Sequence, residues 1–199
     1  HGVHRRQRQM CIRDSHIIGF EDKFSKHKRM DAVAYTLDQF AADCKAALQE
    51  DPGLAGQEKC RDYVSKACKD ADFIATYLPD NPDKERKIIY EDPDLGFCIC
   101  AHVYEGAKQG SPHDHGPTWA IYGQAVGETS MTDWDIVEPA DGDKPAKVKL
   151  GRTYKLVPGD AHVYPVGFVH APYRTDSTRL IRIEGVDTMN VTRTKIEQV

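Results

Sequence analysis

The chain has 199 residues, a formal net charge of −4, 40% hydrophobic and 29% charged residues. That length allows one domain with a sizeable core, or a domain with a helical appendage, and the composition is that of an ordinary globular protein. The mild negative charge gives no general drive toward nucleic acid or anionic membranes, and no apolar run approaches the roughly 20 residues that a membrane helix needs.

In chain order, residues 1–15 (HGVHRRQRQMCIRDS) are basic and lack an apolar period. Their RQRQMCIRDS portion resembles translated sequencing-adapter sequence; a disordered basic tail or an Arg-rich transit peptide is the alternative. This segment is not expected to contribute to the fold. No apolar h-region follows it, so the chain reads as lacking a secretory signal. Residues 30–49 read as a helix, with Val33, Leu37, Phe40, Cys44, Ala47 and Leu48 recurring mostly at three- and four-residue steps. Asp51, Pro52 and Gly53 stop it. Residues 56–77 read as a second helix, with Cys60, Tyr63, Val64, Ala67, Ala71 and Ile74 on one face and Pro79 beyond its end. The expected division is a tail over 1–15, a helical region over 16–80 and a β-barrel over 81–199.

From about residue 86, short apolar runs alternate with Gly, Pro and Asp turns: KIIY, FCICAHVY, TWAIYGQAVG, SMTDWDIVE, KVKLGRTYKLVPGD, AHVYPVG, FVHAPY, RLIRIEGV and NVTRTKIE. This spacing predicts an all-β sandwich or barrel. The six cysteines include no CxxC pair, so a structural zinc site is not expected. Cys98 and Cys100, two apart on a strand, suit buried thiols, and the whole set suits a reducing, cytoplasmic setting.

The chemistry-bearing pattern is histidine. His113 and His115 are two apart, which on a strand puts both side chains on one face. Several strands later comes His170, at the end of the run GDAHVYPVGFVH, in which Gly159, Pro165, Gly167 and His170 have the spacing G-x5-P-x-G-x2-H. The runs GSPHDH and GDAHVYPVGFVH resemble the two cupin motifs, over roughly residues 86–186. The resemblance implies a mainly β, double-stranded β-helix (jelly-roll) barrel with an N-terminal helical region. It also implies one divalent metal on His113, His115 and His170. His102 and His162 are outside the motif positions.

The glutamate ligand usual in the first cupin motif is replaced by Trp119 and Ala120. A ligand set of three neutral histidines is similar to that of the thiol dioxygenases, and to a smaller set of enzymes that cleave carbon–carbon bonds. In the thiol dioxygenases an arginine on the strand pair before the metal motif binds the substrate carboxylate; Arg86, or Lys87 one register away, falls there. The Ser-x-His-x-Tyr relay of the cysteine dioxygenases is absent: the comparable strand reads Leu180, Arg182 and Glu184 on one face. The cross-link cysteine is also absent, with Ala120 near its place.

Alternation puts Cys98, Cys100, His102 and Tyr104 on one face and Ala120 and Tyr122 on another. The family register implies catalytic or pocket roles for His102, Tyr104, Tyr122 and Arg182, with Arg86 and Arg182 as substrate-binding candidates; core or outer-wall positions are the alternative for each. The implied activity is an iron(II)-dependent dioxygenase acting on a small acidic thiol, with dioxygen as co-substrate. A C–C cleaving enzyme or lyase, or a non-catalytic binding cupin, is the alternative. Imidazole also suits nickel, manganese and zinc. No nucleic acid or membrane partner is expected.

Overall fold

A computed structural model describes residues 34–199. The tail, the start of the first predicted helix, Cys11 and the histidines at 1, 4, 16 and 27 lie outside the described residues. Helix α1 is Leu37–Glu50. It begins later than its apolar period suggests, because Thr36 caps it: the Thr36 hydroxyl accepts the Gln39 N–H at 3.1 Å. The second predicted helix is two helices, α2 (Leu54–Ala67) and α3 (Ala71–Tyr77). Asp70 causes the break. Its carboxylate accepts the N–H groups of Asp72 and Phe73, both at 3.0 Å, and so starts a new helix. The restart resets the helical phase, and Phe73 is buried while Ala71 faces solvent.

The strands are β1 (Arg86–Glu91), β2 (Cys98–Tyr104), β3 (Lys108–Gln109), β4 (Ala120–Val126), β5 (Thr129–Glu138), β6 (Ala146–Leu156), β7 (Ala161–Tyr164), β8 (Val169–Arg174), β9 (Thr178–Glu184) and β10 (Ile196–Gln198). They form two five-stranded sheets, ordered β1-β2-β9-β4-β7 and β10-β6-β5-β8-β3. From β2 onward the chain crosses from one sheet to the other at almost every turn, and only the β5–β6 hairpin stays within one sheet before β9. That winding is the double-stranded β-helix, or jelly roll, of the cupin fold. Strand β3 falls in a stretch read as a turn. The last predicted strand shrinks to three residues and follows a 3-10 turn over Thr188–Asn190 that Asp187 caps. No helix among the described residues is long and apolar enough to cross a membrane.

Strand β2 is buried on both faces because the first sheet separates two cores. Outward, Ile99, Ala101, Val103, Ile121, Ile181 and Ile183 pack with Phe40, Cys44, Cys60, Val64 and Phe73 of the helices. Inward lies a smaller core of Ala120, Tyr122, Met131, Leu156 and Tyr164. The sheet thus turns its aliphatic side to the helices and its thiols, imidazole, tyrosines and charged groups to the barrel interior. Gly123 permits the close approach of α2: a Cβ there would stand 2.2 Å from Val64 Cγ1 and 2.8 Å from Cys68 Sγ. Gly167, at φ +77°, turns the chain from β7 into β8 with Phe168 N–H bonded to the Pro165 carbonyl at 3.0 Å. Cys44, Cys60, Cys68, Cys98 and Cys100 are buried free thiols.

Candidate metal centre

His170 stands on β8 and is buried. His113 and His115 do not share a regular strand as the HxH spacing suggests. His113 forms an isolated antiparallel bridge with His170, and the chain then turns through Asp114 and Gly116 before β4 begins. Asp114 makes the turn. Its carboxylate accepts the Gly116 N–H at 3.0 Å, and it also accepts the Thr194 N–H and hydroxyl, which pins the segment to the chain leading into β10. The convergence of the histidines survives this departure. Ring centroids are 5.6 Å apart for His113–His115, 4.8 Å for His113–His170 and 5.0 Å for His115–His170. One nitrogen from each can be chosen so that all lie within 4.8 Å of one another.

The nitrogens are prepared for a cation. His113 Nδ1–H donates to the Ser111 carbonyl at 2.8 Å, leaving Nε2 as the lone-pair nitrogen. His115 Nε2 shares a 2.9 Å hydrogen bond with the Tyr122 hydroxyl. His115 Nδ1 and both ring nitrogens of His170 are buried without a partner among the described residues. Three orphaned imidazole nitrogens in one cluster are costly unless something fills the place between them. Burial holds the rings neutral, with His113 pulled down to about 4, His115 to about 2 and His170 well below its ordinary value. Neutral imidazoles with inward lone pairs are the donor set of a divalent transition metal, so these residues fit one. The face of Tyr164 covers His170, with centroids 4.0 Å apart.

The carboxylates stay out of this cluster. Glu184 is fully buried and sits in a second group with Cys98 and Cys100. Its oxygens take Arg86 Nη2 at 2.8 Å, Arg182 Nη1 at 3.2 Å and the Thr188 N–H at 3.0 Å. Arg86 also donates to Asp187 at 2.7 Å, so the arginine expected to meet a substrate carboxylate is already paired with two of the protein's own. Lys87 points to the other face of β1 and is exposed.

The other expected pocket residues line the interior. Cys100, Arg182 and Tyr122 stand in register across β2, β9 and β4. The Arg182 guanidinium lies over the Tyr122 ring, 4.0 Å from its centroid. His102 Nδ1 and the Tyr104 hydroxyl are 2.8 Å apart. Burial pushes Tyr122 up to about 12, so its hydroxyl carries a proton at neutral pH. His162 is half-buried beside Tyr154 and Tyr164, outside the histidine group. Interior residues that escaped the sequence reading include Tyr164, Phe168, Thr178 and Arg174. The period of two could have found Arg174, because His170, Pro172 and Arg174 share the buried face of β8.

No family profile matches the chain, and no curated protein does. Solved structures with a similar barrel include a cupin superfamily protein from Desulfitobacterium hafniense, 16% identical, covering 51% of this chain and 76% of that one with a TM-score of 0.39. KdgF from Halomonas is 22% identical over 50% of this chain and 76% of its own, with a TM-score of 0.36. The DMSP lyase DddQ from Ruegeria pomeroyi is 14% identical over 55% of this chain and 50% of its own, with a TM-score of 0.39.

Proposed function

We propose that this chain is a non-haem iron(II)-dependent dioxygenase that oxidises a small acidic thiol, with dioxygen as co-substrate. The observation that supports it most is the convergence of three neutral imidazoles with no carboxylate among them. His113, His115 and His170 would hold the metal, and Ser111 and Tyr122 orient two of the rings. When bound, ferrous iron supplies the one-electron chemistry that lets dioxygen react with a thiol. The remaining work belongs to the protein. Arg182, buried over Tyr122, binds the acidic group of the substrate. The Tyr122 hydroxyl holds a proton at Oη beside His115. Tyr164 and Phe168 pack around His170 and keep water from its ring. His102 and Tyr104 form a hydrogen-bonded pair on the same interior face of β2. The buried free thiols suit a reducing compartment, and we place the activity in the cytoplasm.

The test is metal analysis of protein purified without oxygen, followed by oxygen uptake with a panel of thiols. Iron near one equivalent per chain and uptake with an acidic thiol are expected. Uptake with a diketone and no thiol, or tight metal binding with no uptake at all, would replace this reading with a C–C cleaving enzyme or a binding cupin.

A further inference from the structure

Around Tyr104 the barrel interior holds more donors than it satisfies. Arg174 is 3% exposed, and its guanidinium lies over the Tyr104 ring, 4.3 Å from the centroid. Among the described residues it has no carboxylate partner, and its Nε is buried without a hydrogen bond. His102, 2% exposed, spends Nδ1 on the Tyr104 hydroxyl and leaves Nε2 buried and unpartnered. Thr178 pairs with Tyr104 across β2 and β9, so both side chains stand on one face, and its buried hydroxyl is also unpartnered. Three such atoms about one ring are an unusual concentration, because each costs about 1–3 kcal/mol when left unmade.

The charge balance points the same way. Among the described residues, the barrel arginines Arg86, Arg174 and Arg182 face three carboxylates: Glu184, Asp187 and Asp133, the last on the same face as His170. Arg86 takes Glu184 and Asp187, Arg182 shares only Glu184, and Asp133 is taken by Arg152. Arg174 is the one of the three arginines with no carboxylate partner among the described residues. Burial pulls its guanidinium below the ordinary value, and the Arg182 charge adds to that pull. An unpaired buried charge is tolerated where a counter-ion arrives from outside.

We propose that Arg174, with His102 Nε2 and the Thr178 hydroxyl, forms an anion subsite that takes a carboxylate of the substrate other than the acidic group held by Arg182. The unpartnered Nε edge of a guanidinium matches the two oxygens of a carboxylate side-on. The subsite rests on the proposed function for its role in turnover, and on the barrel alone for its ability to bind an anion. It implies a substrate with an acidic group far from the reacting sulfur, since Arg174 is four residues along the strand from His170.

The test is calorimetric titration of the full chain with succinate, as purified and after chelation of metal. Succinate should bind in both states, and Arg174→Met should weaken binding roughly 10- to 100-fold. Thr178→Val should weaken it by less. If Arg174→Met does not fold, Arg174→Lys replaces it: the charge stays, the fork is lost, and binding should still fall. Unchanged succinate binding in these variants overturns the subsite, as does binding that disappears on chelation, which would put the anion on the metal. Inorganic phosphate binding more tightly than succinate overturns the carboxylate assignment. The two readings separate cleanly. Succinate binding that depends on Arg174 without thiol oxidation removes only the proposed function. Thiol oxidation with an unaltered KM in Arg174→Met removes only the subsite.

Discussion

His113 and His170 exchange backbone hydrogen bonds, each N–H reaching the other's carbonyl at 3.0 Å. The two residues are far apart in sequence, and this single bridge brings their rings to 4.8 Å. Together with the Gly110 N–H bond to the Pro172 carbonyl at 2.8 Å, it fixes the loop carrying the HxH pair to β8.

Replacing His113, His115 or His170 by Ala should each strongly reduce metal content, because two remaining neutral nitrogens hold a divalent ion poorly. His162→Ala should leave metal content unchanged, since His162 stands outside the group. Elemental analysis of the four purified variants checks this. Metal lost from His162→Ala and kept in His115→Ala would mean that the centre lies elsewhere.

Arg182 and Arg86 should behave differently. Arg182→Met should raise KM for an acidic thiol well above its effect on a neutral analogue. Arg86→Met should act on stability, because it strips Glu184 and Asp187 of a partner; the expected loss is roughly 1–3 kcal/mol. Steady-state kinetics on both substrates and a thermal melt of each variant separate the roles. Equal changes in KM for the acidic and neutral thiols in Arg182→Met would remove it from substrate binding.

Stability of the metal-free protein should fall on acidification. Burial lowers His113 to about 4 from the ordinary 6.5 and His115 to about 2. Below pH 6.5 the unfolded chain therefore takes up protons that the folded chain refuses. The stabilising difference is fully present above pH 6.5 and is lost as the pH drops through 4 and below. Burial also pushes Glu184 up, but Arg182, the Thr188 N–H and Arg86 bring it below its ordinary value, which adds a further loss at still lower pH. Melting temperatures measured from pH 8 to pH 4 should decline below 6.5. A flat profile would show that the buried imidazoles do not resist protonation.

Gly123→Ala should destabilise the fold without touching the histidines. The new Cβ meets Val64 and Cys68 of the adjoining helical segment, and overpacking of this kind costs about 1–3 kcal/mol. A lower melting temperature with unchanged metal content is expected. Loss of metal at an unchanged melting temperature would mean that the helices and the centre are coupled in some other way.

Much of this protein is decided locally. The period of two separates Ile99, Ala101 and Val103 from Cys98, Cys100 and His102, and the structure keeps that division. The Gly and Pro positions of the second motif mark the β7–β8 turn, because a positive φ at Gly167 is a local requirement. His170 and the HxH pair were legible for the same reason. Side-chain hydrogen bonds then moved what periodicity alone had placed. Asp70 divided one predicted helix into two, and Asp114 bent the HxH segment out of strand geometry. Apolar spacing carries no record of such bonds, although Asp at a helix start is a signal that could have been read. The tertiary structure alone decided which arginine is free. The sequence singles out Arg86 and Arg182, and only the folded barrel brings Glu184 and Asp187 to Arg86 and leaves Arg174 with no carboxylate partner among the described residues. Charge pairing of this kind is a relation between strands that are neighbours in space and distant in the chain.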